Sequence, residues 1–246
     1  MLKDDIHIFL SKNPKLGIIV YETIRHLKNI FDKKDMQVYE NLKNLGFDPK
    51  VIFDVGANRG EWSRNVKTIF KNARYFLFEP QKEMEPFLKK FTDSYPESKY
   101  FNLALGEKKG NAKIGIWPGY YGTTLLHQGL NLKTRDVEVE SINNLIKQNL
   151  IPAPDILKMD VQGFEMHILK GSTDCFKHTE VIILETYLYS VLNNQPILSE
   201  IVNYMNDNGY VIFDFTTFHR YKKSKVLRYF DTVFIKKDSK IRKKIA

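Results

Sequence analysis

The chain has 246 residues, enough for one large domain whose core needs neither a metal nor a disulfide to stabilise it. Its single cysteine, Cys175, excludes an intramolecular disulfide, and no apolar run approaches the roughly 18 residues of a membrane span. The net charge is +9, but residues 216–246 hold eleven Lys and Arg against two Asp, so the first 215 residues are about neutral. This uneven distribution argues against a nucleic-acid partner.

The two ends of the chain differ from its middle. The N-terminus, MLKDDIHIFLSKNPK, has acids among its first residues and no long apolar stretch. It does not resemble a signal peptide, and we expect a cytoplasmic protein. Residues 238–246 form a basic C-terminal tail. Such a tail is most simply solvated and frayed, but the basic C-terminal segment could also contact an anionic substrate, a membrane surface or RNA.

In chain order, the first 45 or so residues have the apolar spacing of helices and end at Gly46, before Pro49. This predicts a helical N-terminal extension over residues 1–48. Short apolar strands and amphipathic helices then alternate, which is typical of a parallel sheet with crossover helices. The first predicted strands are 51–55, 75–79 and 100–105, and the first predicted helices of the sheet domain are 60–71 and 81–92.

A less regular stretch, 106–140, carries WPGYYGTT and the alternating VEVE, and the regular pattern then resumes. The later predicted strands are 155–160, 181–186, 210–215 and 229–236, and the later predicted helices are 163–169 and 196–207. Because no helix separates the last two strands, we expect them to pair antiparallel at an edge of the sheet. The sheet domain is predicted to span residues 49–237.

Four of the apolar strands end in an acidic residue. These residues are Asp54, Glu79, Asp160 and Glu185. A single acid at a strand end is commonly only a turn or cap residue. Four at the carboxyl edge of one parallel sheet are harder to explain in that way, because like charges repel unless a ligand, donors or a cation compensate them. Open parallel sheets bind ligands at that edge.

The turn DVGANRG (54–60) indicates the class of ligand. Gly56 and Gly60 allow the backbone to approach a ligand closely, as in the first loop of many nucleotide-binding domains. Asn58 stands where a dinucleotide fingerprint has its second glycine, and an acid precedes the turn. A carboxylate there favours a cationic ligand such as S-adenosylmethionine over a pyrophosphate. Glu79 is placed to accept the ribose hydroxyls, although that acid alone would suit NAD equally well.

Several stretches resemble the FkbM-type S-adenosylmethionine-dependent methyltransferases. They are IFDVGANRGEWS (52–63), FEP (78–80), NLALGEKKG (102–110) and LKMDVQGFEMHILKG (157–171), with weaker similarity in ILETYLY (183–189) and YFDTVFIKK (229–237). The resemblance implies an α/β, Rossmann-like class I methyltransferase fold with a seven-stranded, mostly parallel sheet whose last strand is antiparallel. It also implies O-methylation, commonly of sugar hydroxyls in glycans or of hydroxyls on natural products.

Carried onto this chain, the resemblance also implies a set of cofactor-binding residues. They are Asp54, Gly56, Asn58 and Gly60 in the first loop, Glu79 at the ribose, and Asn102, Leu103, Ala104 and Leu105 beside the adenine.

The expected chemistry is displacement at the methyl carbon of a sulfonium, which requires alignment and removal of one proton from the acceptor hydroxyl. Asp160 is the first candidate base, and it could instead bind the methionine end of the cofactor. Glu185 is a candidate second base or substrate ligand. Lys158 lies in an otherwise apolar strand, so we expect an ion pair with a strand-end acid or a role at the acceptor oxygen.

Substrate contacts are predicted in the irregular stretch, where Tyr120 and Tyr121 supply aromatic faces that stack on sugar rings and His127 is a further candidate. Each has a plainer interpretation as loop packing or a surface histidine. Glu165 is a fourth candidate, or only an acid at the start of a helix. Asp160 and Glu185 could hold Mg²⁺, but no spacing motif demands it and no metal is predicted.

The sequence therefore predicts a methyltransferase that moves a methyl group from S-adenosylmethionine to a hydroxyl, on a small-molecule or glycan substrate. Two alternatives stay open. The basic C-terminal end would suit RNA methylation, and the glycine turn alone would suit a non-catalytic or nicotinamide-binding module.

Overall fold

The computed structural model describes residues 33–117, 123–128 and 130–245. Tyr120, Tyr121 and the part of the predicted helical extension before Lys33 lie outside the described residues. The strands are β1 (Val51–Val55), β2 (Arg74–Phe78), β3 (Lys99–Phe101), β4 (Ala104–Leu105), β5 (Gly110–Ile116), β6 (Lys133–Glu140), β7 (Ile156–Met159), β8 (Val181–Tyr187), β9 (Tyr210–Arg220) and β10 (Leu227–Lys236). The α-helices are α1 (Lys33–Asn44), α2 (Glu61–Lys67), α3 (Glu85–Ser94), α4 (Ile142–Lys147), α5 (Glu165–Lys170) and α6 (Leu198–Asp207).

Seven strands form the main sheet in the order β3-β2-β1-β7-β8-β10-β9. All neighbouring pairs from β3 to β8 are parallel, and β10 runs antiparallel to both β8 and β9. The predicted α/β fold with a mostly parallel sheet and an antiparallel last strand is confirmed. The strand order reverses between β1 and β7, which is where open sheets of this type form a ligand crevice.

Helices cover both faces of this sheet, so that strands such as β1 are buried throughout. Residues alternate between the two faces along each strand. Phe53 and Val55 pack in a core with α4, α5 and α6, whereas Ile52 packs on the opposite face with α1, α2 and α3. Asp54 lies two residues after Ile52 in β1, so its side chain points to the same face of the sheet, toward α1 and α2.

The middle of the chain is more regular than expected. The single strand predicted over 100–105 is wrong: its first part belongs to β3, and Ala104–Leu105 begins a second, three-stranded sheet in the order β4-β6-β5. The stretch 106–140 supplies the antiparallel pair β5 and β6, with Ile114 opposite Arg135. The alternation of VEVE was the sequence signal of β6. The short helix α4 was not predicted, although Ser141 caps it by accepting a hydrogen bond from the Asn144 amide at 3.2 Å.

The described termini pack on the same side of the molecule. Helix α1 is joined to β9, since the hydroxyl of Thr216 donates to the Asp35 carbonyl at 3.2 Å. Ile241, in the basic tail, is buried in the core beside α1, and the Lys244 ammonium donates to the Leu45 carbonyl at 2.8 Å. The tail is therefore anchored at Ile241 while its lysines stay exposed. None of the helices in the described ranges has both the length and the apolar character needed to cross a membrane.

Candidate active site

A cleft opens at the carboxyl ends of β1, β2 and β7, at the reversal of strand order. Its walls are Val55, Gly56, Asn58, Phe78, Glu79, Pro80, Gln81, Leu103, Ala104, Leu105, Ile114, Thr123, Thr124, Leu125, Asp160, Val161, Gln162 and Phe164. Seven of the predicted cofactor residues are among them, namely Gly56, Asn58, Glu79, Leu103, Ala104, Leu105 and Asp160. The predicted residues Asp54, Gly60 and Asn102 are not among the lining residues.

The glycine turn is held tightly between two strand ends. Gly56 has a φ of 75°, and a Cβ atom built on it would lie 2.0 Å from the carbonyl oxygen of Asp160. The amides of Gly56 and Ala57 donate to the Phe78 carbonyl at 3.0 and 3.1 Å. Asn58 also adopts a left-handed conformation, with a φ of 46°. A residue with a side chain at position 56 would push β7 away, so glycine is required there.

Glu79 directly follows β2, and its carboxylate is fixed by two backbone amides and by the side-chain amide of Gln81, which donates to Oε1 at 3.2 Å. Its Oε2 accepts the Asn58 amide at 2.8 Å, and its Oε1 accepts the Gln81 amide at 3.0 Å. Burial raises the pKa of Glu79 above its ordinary value, although these hydrogen bonds oppose the shift. Asn102 supports the same residue by donating from its side-chain amide to the Glu79 carbonyl at 2.9 Å. The result is a preorganised acceptor on the cleft wall.

Asp54 and Glu79 lie near the carboxyl ends of neighbouring strands, but Asp54 is part of a buried ion pair and does not line the cleft. It is fully buried, and its carboxylate accepts hydrogen bonds from the Ser63 hydroxyl at 2.7 Å and the Lys158 ammonium at 3.1 Å. Burial alone would lower the pKa of Lys158, but the carboxylates of Asp54, Asp160 and Asp231 together raise it above its ordinary value. Lys158 is therefore a charged, buried cation, and its closest acid is Asp54.

Asp160 connects the cleft to this buried pair. Its side chain is 41% exposed and its Oδ2 lies 3.8 Å from the Lys158 ammonium. The side-chain amide of Gln162 donates to Asp160 at 2.8 Å and to Glu185 at 3.1 Å, so one Gln nitrogen bridges two carboxyl groups. Glu185 also accepts the hydroxyl of Tyr187 at 2.5 Å. Asp160 and Gln162 line the cleft, whereas Lys158, Glu185 and Tyr187 are not among its lining residues.

Glu185 is buried, with 6% of its surface exposed. Burial, together with the charges of Asp160 and Glu165, raises the pKa of Glu185 well above its ordinary value. The structure thus places two carboxyl groups of unequal character side by side, one exposed to the cleft and one buried behind it. Such a pair is a common source of acid and base groups at neutral pH.

Glu165 and His127 were predicted on the substrate side, and neither is among the residues that line the cleft. The Glu165 carboxylate accepts the amides of Val161 at 3.0 Å and Gly163 at 3.2 Å, and so holds the turn after β7. Burial raises the pKa of Glu165 to about 7. His127 packs against Gly115, where an added Cβ atom would lie 2.4 Å from the His127 Cβ atom.

Sequence reasoning missed three polar residues that shape the cleft. Thr123 donates from its hydroxyl to the side chain of Gln81 at 3.1 Å, and Thr124 donates to the carbonyl of Gln162 at 3.1 Å. This threonine pair lies across the cleft and joins its two walls. Gln162 had a readable signal, because it lies between Asp160 and Gly163 in a turn. The threonines had none, since their partners are distant in sequence.

Within the described ranges, no group of three or more His, Cys, Asp or Glu residues is arranged to hold a metal ion.

Taken together, the strand order, the glycine turn and the cleft define an α/β protein with a candidate ligand site at the carboxyl edge of its sheet. Residues 54–212 match the methyltransferase FkbM domain, and this chain belongs to that family. It is 22% identical over 201 residues to the hexuronic acid methyltransferase AglP of Haloferax volcanii, covering 77% of this chain and 82% of the relative.

Among solved structures, a precorrin-6y C5,15-methyltransferase of Geobacter metallireducens aligns with a TM-score of 0.43 and 14% identity, over 81% of this chain and 89% of its own. The 1,6-didemethyltoxoflavin-N1-methyltransferase of Burkholderia thailandensis, solved with S-adenosylhomocysteine, aligns with a TM-score of 0.45 and 11% identity, over 91% and 88%. At TM-scores below 0.5, these similarities add nothing on substrate or mechanism.

Proposed function

We propose that this protein transfers a methyl group from S-adenosylmethionine to a hydroxyl of a saccharide. The observation that carries the proposal is the position of Asp160, a half-exposed carboxylate that lines the ligand cleft and is held by Gln162 and Lys158. Membership of the FkbM methyltransferase family supports the reaction class. The relative AglP, which by its name methylates a hexuronic acid, supports a sugar acceptor.

The cleft residues fit the proposed methyl donor. Phe78, Leu103 and Leu105 give the cleft apolar walls that suit an adenine ring. Glu79 supplies a carboxylate for the two ribose hydroxyls, with its own position fixed by the Asn58 and Gln81 amides. When bound, the donor would supply an activated methyl group on a sulfonium. Among the described residues, the wall of the cleft carries carboxylates and no Lys or Arg, which suits a cation better than a pyrophosphate.

The proposed reaction is one displacement. A bond forms between the acceptor oxygen and the methyl carbon as the bond from that carbon to sulfur breaks. The acceptor hydroxyl loses its proton to the carboxylate of Asp160. Gln162 keeps that carboxylate in place from one side, and the Lys158 charge stabilises its ionised form from the other. General base catalysis of this kind contributes on the order of 10²–10⁴-fold to rate.

Calorimetry tests the donor. We expect S-adenosylhomocysteine to bind in the micromolar range or tighter and NAD not to bind. The Glu79→Ala variant should bind S-adenosylhomocysteine about 10-fold or more weakly, because it loses hydrogen bonds to a charged acceptor. Glu97→Ala, at an exposed position, is the matched control and should bind as the wild type does. Tight binding of NAD without S-adenosylhomocysteine binding would contradict the proposal.

Product mass spectrometry tests the acceptor. The protein is incubated with S-adenosylmethionine and a panel of neutral and acidic saccharides, and a mass gain of one methyl group is sought. Brief mild alkali then separates two outcomes, since a methyl ether on a hydroxyl survives and a methyl ester on a carboxylate is hydrolysed. An alkali-labile product would refute the hydroxyl acceptor, and methylation of RNA alone would refute the saccharide.

A further inference from the structure

The hairpin formed by β9 and β10 extends past the end of β8. Tyr229 pairs with Tyr187 at the last residue of β8, and the turn of the hairpin lies beyond that pair. Between residues 219 and 229 the hairpin carries Arg220, Lys222, Lys223, Lys225 and Arg228, and no acid. These five residues make up a large part of the basic excess of the chain. They lie at the same edge of the sheet as the cleft.

Aromatic rings line the base of this hairpin. Tyr229 stacks on His219 with ring centroids 4.4 Å apart, and it contacts Tyr187 at 5.2 Å. The guanidinium carbon of Arg228 lies 5.4 Å from the centre of the Tyr229 ring and 5.5 Å from that of Tyr221. We call His219, Tyr221, Arg228 and Tyr229 the hairpin surface, and the buried Tyr187 lies beneath it.

Arg228 has unused hydrogen-bonding capacity. Its Nε atom is shielded from solvent and has no hydrogen-bond partner within the part of the chain that the structure describes. A buried donor without an acceptor destabilises the folded protein. A planar oxyanion accepts two parallel N–H donors from a guanidinium, so an anion bound at Arg228 would be recognised by geometry as well as by charge.

The hairpin surface is continuous with the candidate base. The hydroxyl of Tyr187 donates to Glu185 at 2.5 Å, and Gln162 joins Glu185 to Asp160. Asp160, Glu185 and Tyr229 all lie along the carboxyl edge of the sheet, so an acceptor molecule could touch both ends of this series. The end beside the cleft is acidic and the end on the hairpin is basic.

We propose that the hairpin surface binds the anionic group and ring face of a negatively charged saccharide acceptor. The inference rests on the proposed function and goes further, because it names the charge of the acceptor and the residues that recognise it. Arg228 holds the anionic group as a bidentate ligand, and the aromatic rings pack on the apolar face of the sugar ring. The reacting hydroxyl is thereby directed toward Asp160, away from the cations.

A small anion fits this site better than a polynucleotide does. The cations are confined to one hairpin, and the first 215 residues carry no net charge to continue a basic path along a phosphate backbone. A carboxylate and a phosphate share the chemistry that Arg228 recognises. The test therefore includes methyl β-glucuronide, glucose 1-phosphate and neutral methyl β-glucoside as probes.

Binding of these probes is measured by ligand-observed NMR on the protein saturated with S-adenosylhomocysteine, and methyl transfer is measured separately. We expect the Arg228→Ala variant to bind the charged probes at least about 10-fold more weakly and to leave the neutral probe unchanged. Preference for glucuronide over glucose 1-phosphate would identify the carboxylate as the natural anion, and the reverse would identify a phosphate. Arg74→Ala, an exposed arginine at the start of β2, is the matched control.

The double variant Lys222→Glu/Lys223→Glu is a second test in case Arg228→Ala does not fold, because both lysine side chains are exposed in the hairpin turn. This double variant should also bind the two charged probes more weakly and bind the neutral probe as the wild type does. The proposal would be overturned if the variants lost the same affinity for all three probes, or if their affinity for every probe were unchanged. If the double variant no longer bound vesicles that contain phosphatidylglycerol but bound the sugar probes as the wild type does, the hairpin would be a membrane-binding surface instead. If S-adenosylhomocysteine does not bind at all, the proposed function fails, whereas unchanged probe binding in the variants affects only this inference.

Discussion

The two halves of the candidate site satisfy their carboxyl groups in different ways. On the proposed cofactor side, Glu79 is held by the backbone amides of Asn58 and Gln81, with one longer hydrogen bond from the Gln81 side chain. On the proposed acceptor side, Asp160 and Glu185 are held by the side chains of Lys158, Gln162 and Tyr187. Backbone donors are neutral and their positions are set by the fold. Side-chain donors come from separate strands and can be changed without altering the backbone.

The two kinds of donor make the protonation of the carboxyl groups easier to change on one side of the site than on the other. A carboxylate bound by two amides keeps its environment as long as the turn is intact. The acceptor side instead couples several titratable groups, so that a change in one affects the others. We therefore expect substitutions on the acceptor side to alter catalysis and pH dependence, and those on the cofactor side to alter ligand affinity.

The largest expected effect is on turnover in the Asp160→Asn variant. Removal of the candidate base should lower kcat by about 10²–10⁴-fold, while the affinity for S-adenosylhomocysteine changes by no more than a few fold. Steady-state kinetics and calorimetry measure the two quantities. Asp93→Asn, in an exposed pair with Lys89 on α3, is the control and should leave both unchanged. A fully active Asp160→Asn enzyme would exclude this residue as the base.

The next effect is on stability in the Lys158→Met variant. The variant leaves Asp54 buried without its cation, which should cost about 3–5 kcal/mol in the free energy of unfolding. Adding Asp54→Asn to the same chain should recover part of that loss. Lys89→Met breaks an exposed ion pair instead and should cost less than about 1 kcal/mol. Urea denaturation of the four proteins tests this, and equal losses at positions 158 and 89 would contradict the assignment of a buried charge pair.

A smaller effect, confined to the cofactor side, is expected in the Gly56→Ala variant. Its Cβ atom would collide with the Asp160 carbonyl, so we expect affinity for S-adenosylhomocysteine to fall by about 10-fold or more. Two other glycines separate the effect of the steric clash from the effect of the positive φ angle. Gly209 has a φ of 84° with no atom near an added Cβ, and Gly110 has neither a positive φ nor a neighbour within 4 Å.

Gly209→Ala should therefore lose about 1 kcal/mol of stability without losing cofactor affinity, and Gly110→Ala should behave as the wild type. If all three variants bind S-adenosylhomocysteine equally, close packing of the glycine turn is not what shapes the cleft.

Much of the fold could be predicted because its signals are local. The strand VIFDV is an apolar run of strand length that ends at a glycine turn, and the last two strands lack a helix between them. The split of 100–105 between two sheets could not be predicted, because it depends on β6 pairing with Ala104 and Leu105 from 34 residues or more away in the chain. Strand length alone does not reveal which partner a strand has.

The candidate site divides in the same way. Gly56, Asn58 and Glu79 lie within one strand-helix-strand unit, so their motif and spacing were sufficient to bring them together. The roles of Gln162 and Tyr187 depend on their side chains meeting Glu185 across separate elements. Nothing in the sequence specifies such a meeting. Thr124 likewise reaches the Gln162 carbonyl from a segment 38 residues away.

The last effect is a gradual change of stability with pH, and it tests whether the turn between the two halves is held by a protonated acid. The carboxyl of Glu165 is buried, and burial raises its pKa from 4.5 to about 7. Because the folded pKa lies above the unfolded one, Glu165 contributes its full stability below about pH 4.5 and loses it as the pH rises through 7. The total change is up to about 3 kcal/mol.

Glu165→Gln keeps an oxygen for the Val161 and Gly163 amides but removes the titration. We therefore expect the difference in unfolding free energy between variant and wild type to shift in favour of the variant between pH 5 and pH 8. Burial also raises the pKa of Asp231, to about 7, and that of Glu185, so the wild-type curve alone sums several groups. The difference between variant and wild type removes the contribution of Asp231 and keeps that of Glu165, including its charge interaction with Glu185. The exposed variant Glu97→Gln should run parallel to the wild type. A difference for Glu165→Gln that does not change with pH would mean that this carboxyl stays ionised in the folded protein.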